Sequence, residues 1–309
     1  MSVYTKLSRT DIQTILADYQ LGSLAGFEGI AAGIENSNFF IDTNSGRYVL
    51  TIFERMNETE LPYFMRLMKH LAAAGLSCPD VMLRLDHSLL FETHGKQGCI
   101  VSCLTGKTLD RLNEIQLRSS GKLLARLHLA GADFAEYRGN PAGFDWLTEK
   151  IDKILIKTRT IYGQDAAMLL SDELAFQHAC NRDSLPQGVI HGDLFVDNIL
   201  FKGDTASGII DFYYAHRAPF AMDIAITLNA QAVLLGDDDP SRMHAFLAGY
   251  ESLRPLQEIE RRALPRLLRL GALRFWVSRL YDAIYPRDGA MTRTKDPEEY
   301  RRKLLRHRR

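Results

Sequence analysis

The sequence is short of cysteine, of net charge and of long apolar runs. Its four cysteines among 309 residues, Cys78, Cys99, Cys103 and Cys180, include no CxxC pair. That excludes the common zinc-ribbon spacing, gives no sign of a disulfide framework, and fits the reducing cytosol. Lys plus Arg and Asp plus Glu balance at 38 each. A nucleic-acid binder usually carries a basic surplus, so no nucleic-acid partner is expected. No run approaches the roughly 18 apolar residues of a membrane span, and Met1-Ser-Val-Tyr-Thr-Lys6 has no apolar signal core. No membrane partner is expected. There is no internal repeat and no low-complexity tract. What is present is ordinary for a globular chain: 46% hydrophobic and 25% charged residues, in a length that suggests about two domains. The basic tail, Arg301-Arg302-Lys303-Leu304-Leu305-Arg306-His307-Arg308-Arg309, is expected to be a solvated helix end whose cations suit the C-terminal dipole.

The chemistry concentrates in one stretch. Two apolar runs, Gly188–Ile190 and Ile199–Phe201, read as buried strand pieces. The loop between them, His191-Gly192-Asp193-Leu194-Phe195-Val196-Asp197-Asn198, holds nearly all the polar groups. A third apolar run, Gly208-Ile209-Ile210, ends at Asp211-Phe212. Phosphoryl transfer needs a carboxylate beside the attacking hydroxyl, here Asp193. It also needs an amide oxygen and a second carboxylate to hold magnesium on the phosphates, here Asn198 and Asp211. The spacing His-x-Asp-x-x-x-x-Asn fits the kinase catalytic-loop pattern. The bland alternative is a polar hairpin turn. His191 is expected to pack and hydrogen-bond within the loop. Asp223, in Ala218-Pro-Phe-Ala-Met-Asp223, is expected to support it through hydrogen bonds to loop backbone, with an ordinary helix cap as the alternative.

Upstream, Ser8 is an N-cap signal for a helix carrying Ile12, Ile15, Leu16 and Tyr19. Phe27–Gly33, Asn38–Ile41 and Tyr48–Phe53 read as strands, with a turn at Asn44-Ser-Gly46. A helix spans Glu58–Ala74, followed by strands at Val81–Leu85, Leu89–Glu92 and Cys99–Leu104, with a turn at His94–Gly98. Thr105-Gly-Lys-Thr108 breaks the pattern. Helices follow at Leu112–Phe134, Phe144–Tyr162, Ala166–Asn181, Ser241–Glu251 and Leu256–Tyr285. The expected fold is α+β, a two-lobed protein-kinase-like arrangement. A small antiparallel-sheet lobe that binds nucleotide covers 1–104, and a larger, mainly helical catalytic and substrate-binding lobe covers 105–309. The loop Gly33-Ile-Glu-Asn36-Ser37-Asn38 has the small and amide residues that can lay backbone N–H groups over phosphates; a plain hairpin turn is the competing reading. Val49 on the third strand and Ser102 to Leu104 at the hinge complete the expected nucleotide contacts.

Gly192, where protein kinases carry Arg, resembles the small-molecule phosphotransferases related to aminoglycoside phosphotransferases and choline kinases. The resemblance sharpens in Leu270-Gly-Ala-Leu-Arg-Phe-Trp-Val-Ser-Arg-Leu-Tyr-Asp282, Lys295-Asp-Pro-Glu-Glu-Tyr300, Gly29-Ile-Ala-Ala-Gly-Ile-Glu-Asn-Ser-Asn-Phe-Phe40 and Tyr48-Val-Leu-Thr-Ile-Phe-Glu54. Over nearly the whole chain these resemble the bacterial homoserine kinases of that superfamily. The resemblance implies ATP and Mg2+ as cofactors and L-homoserine as the small-molecule substrate, phosphorylated on its hydroxyl in a step towards threonine. Homoserine is a zwitterion. Arg274, Ser278 and Asp282 share a helix face, so Arg274 is the candidate clamp for the carboxylate and Asp282 for the ammonium. The alternatives are a solvated salt-bridge face, or Trp276 and Tyr281 as a wall for a quaternary ammonium. Two departures from the protein-kinase pattern stand out. Thr51 occupies the third-strand position where a Lys holds the phosphates, leaving that charge to magnesium, loop amides and some other cation, with Arg55 nearby in sequence. Tyr213, not Gly, follows Asp211-Phe212.

Overall fold

The computed structural model describes residues 4–30, 36–56, 58–180, 184–234, 236, 239–286 and 295–309. The chain divides into two compact units. One runs through Gly106 and takes in Gly208–Ile210; the other holds Lys107–Ser207 and Asp211 onward. Gly208–Ile210 joins the first unit for a local reason: the Ile209 amide donates to Ser77 O at 3.0 Å, and a Cβ on Gly208 would fall 2.8 Å from Leu104 Cδ1.

The first unit is a five-stranded antiparallel sheet. Its strands are β1 (Leu24–Gly29), β2 (Asn36–Thr43), β3 (Gly46–Phe53), β4 (Phe91–Thr93) and β5 (Lys96–Ser102), in the order β1-β2-β3-β5-β4. The register pairs Ser37 with Ile52, Asn38 with Thr51, Phe39 with Leu50 and Leu50 with Ile100. Side chains alternate along a strand. Ser37, Phe39, Ile41, Leu50, Ile52 and Ile100 therefore share one face, and its apolar members pack with Leu7, Ile12, Ile15 and Leu16 in one core. Asn36, Asn38, Phe40, Val49 and Thr51 share the other. Helix α1 (Arg9–Leu16) starts at Ser8, whose hydroxyl accepts from the Asp11 amide while the Asp11 carboxylate accepts from the Ser8 amide, a reciprocal cap. Helix α2 (Leu61–Ala73) buries Leu61, Phe64, Met65, Leu67, Met68 and Leu71, the stripe the sequence indicates.

Two expectations need correction here. Val81–Leu85 is no strand: it makes only isolated bridges, Val81 to Val101 and Arg84 to Tyr19, tied by the Arg84–Asp18 ion pair at 2.6 Å. The turn expected over His94–Gly98 shrinks to His94-Gly95, both at positive φ, as a two-residue hairpin turn requires.

The second unit is mainly helical: α3 (Glu114–Ala130), α4 (Phe144–Tyr162), α5 (Gln164–Ala179), α6 (Phe220–Gln231), α7 (Ser241–Glu251), α8 (Glu258–Ile284) and α9 (Pro297–His307). The expected end of α5 at Asn181 lies outside the described residues. Short strands β6 (Gln187–Ile190) and β9 (His216–Pro219) pair antiparallel, and β7 (Ile199–Lys202) turns back along β8 (Thr205–Ile209). A core of Leu147, Ile151 and Ile154 from α4, Leu170 from α5, Leu273, Trp276, Val277 and Leu280 from α8, and Tyr300 and Leu304 from α9 is almost fully buried. Each such side chain contributes about 1.5–3 kcal/mol. The tail is thus only in part a solvated helix end: Arg306 and His307 lie in the last turn of α9 and Arg302, Arg308 and Arg309 are exposed, but Lys303 and Leu304 are buried. Asp296 caps α9, Pro297 opens it, and the buried Lys303 ammonium donates to Asn229 O at 2.6 Å and to Glu299 at 2.7 Å. Among the described residues no helix is long and apolar enough to cross a membrane.

Candidate active site

The loop expected to carry the chemistry leaves β6 at Ile190, opposite His216 of β9. Gly192 turns it at φ +75, a conformation L side chains rarely adopt. A Cβ there would sit 3.0 Å from both His216 Cε1 and Tyr214 O, which explains glycine in this place. The loop is then gripped from three sides. Asp223, fully buried in the first turn of α6, accepts from the His191 amide at 2.8 Å and the Gly192 amide at 2.9 Å. Arg274 of α8, 6% exposed, donates to Gly192 O at 2.7 Å. His191 Nδ1 accepts from the Asp193 amide at 3.3 Å, and its ring packs 5.1 Å from that of Phe212.

Behind Asp223 runs a chain of buried polar groups. His128 Nε2 lies 3.0 Å from the carboxylate, His128 Nδ1 lies 2.7 Å from the Tyr250 hydroxyl, and Arg254 joins Tyr250 to Glu260. Burial pushes Asp223 up, but the His128 hydrogen bond and the Gly192 amide outweigh it and hold its carboxyl below the usual range. Burial pushes His128 down, and its two ring nitrogens face the Asp223 carboxylate and the Tyr250 hydroxyl. The sequence offers His128 as a packing or surface residue rather than a ligand, and the structure buries it. Its signal was its place on the leucine stripe of α3, where Leu124, Leu127 and His128 are all buried and Leu129 is exposed.

Asp193 follows Gly192. Its carbonyl accepts from the Phe195 amide at 2.8 Å and from Asn198 Nδ2 at 2.9 Å. Burial pushes its carboxyl up to about 7, Arg274 pulls it down and Asp211 adds to the rise. A carboxylate poised near neutrality suits a general base. Asn198 ends a 3-10 turn, Val196–Asn198. Because its NH2 is held by Asp193 O, its Oδ1 is the end left to accept a cation. Asp211 sits at φ 66, ψ 66, exposed, in the left-handed region where non-glycine residues cluster at functional sites. Asn198 and Asp211 thus lie on short turns near Asp193. Among the described residues no group of three or more His, Cys, Asp or Glu could hold a metal. An Asn–Asp pair fits Mg2+, which takes few protein oxygens and draws the rest from phosphates and water.

The other expected site residues scatter. Ser37 is fully buried on the core face of the sheet. Its hydroxyl accepts from the Tyr4 and Thr5 amides at 2.8 and 3.0 Å and donates to Glu54 at 2.5 Å, so as a side chain it faces away from any ligand on the opposite face. Asn38 on that face accepts from the Thr51 hydroxyl at 2.8 Å, and Val49 lies half-buried beside it. Asn36 is buried in β2, pairing with Phe53. Ser102 spends its amide on Asp80 O and its hydroxyl on the Asp80 amide. Leu104 is half-buried past the end of β5. Gly33 lies outside the described residues. Asp282 is on α8, about 12 Å further along the axis than Arg274 at ~1.5 Å per residue. Arg274, unlike Asp282, is placed on the catalytic loop. Arg55 falls beyond the end of β3, exposed.

Comparison with known proteins agrees with this geometry. Residues 26–264 match the model of the phosphotransferase enzyme family. The homoserine kinase of Neisseria meningitidis serogroup B is 42% identical over 306 residues, covering 99% of both chains. That of Methylobacillus flagellatus is 41% identical over 308 residues, covering 99% of this chain and 95% of its own. Among solved structures, a spectinomycin phosphotransferase in complex with ADP and spectinomycin superposes with a TM-score of 0.72 at 14% identity, covering 98% of this chain and 95% of that one. An amicoumacin kinase in complex with AMP-PNP and Ca2+ gives 0.69 at 18%, covering 97% and 92%. These show the fold to be that of the kinase-like antibiotic phosphotransferases, and the chain belongs to the phosphotransferase enzyme family.

Proposed function

We propose that this protein phosphorylates the side-chain hydroxyl of L-homoserine with ATP, giving O-phospho-L-homoserine and ADP. The observation that carries this is similarity to curated homoserine kinases at 42% identity along 99% of the chain, with Asp193, Asn198 and Asp211 held together as described. Asp193 takes the hydroxyl proton as the oxygen attacks the γ-phosphorus, a contribution of ~10²–10⁴-fold. Asn198 Oδ1 and the Asp211 carboxylate would hold Mg2+, which when bound would neutralise charge on the phosphates. Asp223, Arg274 and Gly192 fix the loop, so Asp193 needs no rearrangement at the moment of reaction.

Arg274 has a second part in this reading. One of its N–H groups serves Gly192 O; the remaining donors and its charge are available to the substrate carboxylate near Asp193, while Asp282 stands further along α8. In the sheet unit, Asn36, Asn38 and Val49 share the face away from the hydrophobic core, which makes them, and Leu104, the residues to assign to nucleotide.

The test is a ³¹P spectrum of the purified protein incubated with MgATP and L-homoserine. The expected result is a new phosphomonoester signal split by a neighbouring CH2, growing as ATP is consumed. Consumption of ATP without that ester, or no consumption, refutes the substrate.

A further inference from the structure

Phosphoryl transfer by this fold needs cations besides magnesium, and the usual one is absent. The third-strand position holds Thr51, 4% exposed and donating to Asn38 Oδ1. Near the reacting centre three carboxylates gather: Asp193, Asp211 and Asp197. Two cations whose charge reaches Asp193 are Arg274 and Lys295. Arg274 holds the Gly192 carbonyl and is assigned above to the substrate carboxylate. Lys295 is different.

Lys295 arrives from about a hundred residues beyond the loop in sequence, yet its ammonium lies 5.0 Å over the ring of Phe195 and 3.7 Å from the Asp197 carboxylate, both within the catalytic loop. It is not carried there by a loose tail. Its neighbour Asp296 caps α9, and Asp296 O accepts from Arg279 at 2.8 Å. Arg279 also pairs with Glu299 at 2.7 Å and covers the Tyr300 ring, while Tyr300 and Leu304 sit in the α4–α8 core. The chain is held from Asp296 onward, next to Lys295, and the Lys295 side chain is half-exposed. A pair this exposed stabilises a fold by at most about 1 kcal/mol, so structure alone does not explain a lysine brought to this spot.

We propose that Lys295 is a catalytic residue whose ammonium binds the transferring γ-phosphoryl group, supplying the cation the third strand lacks. This rests on the kinase reading above. The bond balance is unchanged by it. The substrate oxygen bonds to the γ-phosphorus, the bond to the bridging oxygen breaks, that oxygen leaves with its electron pair as ADP, and the proton goes to Asp193. Lys295 makes no bond and moves no proton. It leaves Asp197 for the equatorial phosphoryl oxygens as negative charge spreads over them, a preorganised stabilisation of the kind that is worth most in the transition state.

The experiment compares wild type with Lys295→Met, Lys295→Arg and Asp197→Asn, measuring MgATP turnover with L-homoserine and the slow transfer to water without it. Lys295→Met is expected to lower kcat about 10- to 100-fold with little change in melting temperature, and Lys295→Arg to recover most of the loss. Asp197→Asn, which breaks the same ion pair, is expected to stay within about threefold of wild type. If Lys295 is merely a surface partner of Asp197, the Met and Asn variants behave alike and near wild type, and the proposal falls. Loss in both Lys295→Met and Asp197→Asn to the same degree also overturns it. If wild type ignores homoserine but Lys295→Met slows transfer to water, Lys295 keeps its role and the substrate assignment alone is lost.

Discussion

Replacing Asp193 with Asn is expected to stabilise the metal-free protein while removing its activity, and the size of the gain is expected to depend on pH. Burial raises the folded-state carboxyl from 3.8 to about 7. Below about pH 4 the group is neutral folded and unfolded and costs nothing. Between 4 and 7 the folded state holds a proton the unfolded chain has released, so wild-type stability falls as pH rises through this window. Above 7 the full penalty is present. At ~1.36 kcal/mol per pH unit the shift corresponds to about 4 kcal/mol. Water reaching the partly open side chain reduces this, and about 2 kcal/mol is a fair expectation, or roughly 3–5 °C in melting temperature for a chain of this size. Asn mimics the neutral acid at every pH. Thermal melts of both proteins, with EDTA and no nucleotide, from pH 5 to 8.5 should show curves that converge at the acid end and separate with rising pH. A constant gap, or a wild type more stable than the variant at pH 8.5, would contradict the claim that Asp193 is held as a destabilised base.

Three other outcomes follow from the same geometry. Arg274 lowers the Asp193 carboxyl, so Arg274→Met should move the acid limb of the kcat/KM profile to higher pH, and saturating magnesium should move the wild-type limb to lower pH; a limb indifferent to both refutes Asp193 as the titrating group. His128→Ala strips a ring-nitrogen partner from Asp223 and from Tyr250, both buried. It should cost about 2–4 kcal/mol in denaturant unfolding and slow turnover without raising the KM for either substrate. Ser37→Ala should destabilise by about 1–3 kcal/mol, because it removes the hydroxyl that accepts from the Tyr4 and Thr5 amides and donates to Glu54, while leaving ATP affinity unchanged; a loss of ATP affinity with intact stability would return Ser37 to the nucleotide face.

The catalytic loop was legible because its polar residues are compressed between apolar strand pieces, a pattern that chain chemistry explains poorly unless the loop has work to do. Helices α4 and α7 were legible to their ends: Gly143 and Gly163 bracket the first, and Ser241 opens the second. The failures share a cause: the deciding partner is far away in sequence. Val81–Leu85 looks like a strand, but its neighbours are Tyr19 and Val101, which give it bridges rather than a ladder. The tail looked solvated because its charges outnumber Tyr300 and Leu304, whose i, i+4 spacing was the readable sign of a buried stripe; nothing local announces that Lys303 finds a carbonyl on α6. Ser37 turns its side chain inward, as the alternation with Phe39 and Ile41 already signals, although the sequence reads Gly33–Asn38 as one loop. His128 needed Asp223, and Lys295 needed Phe195, to become visible at all.

The central claim is a magnesium-dependent kinase for L-homoserine that works through Asp193. The most direct test is ADP release from MgATP with L-homoserine, D-homoserine, L-serine, choline and kanamycin, for wild type and Asp193→Asn. Rapid turnover is expected on L-homoserine and little on the others, with loss on chelating magnesium and a fall of at least about 10²-fold in the variant. Turnover that prefers another acceptor, or that survives in Asp193→Asn, contradicts it.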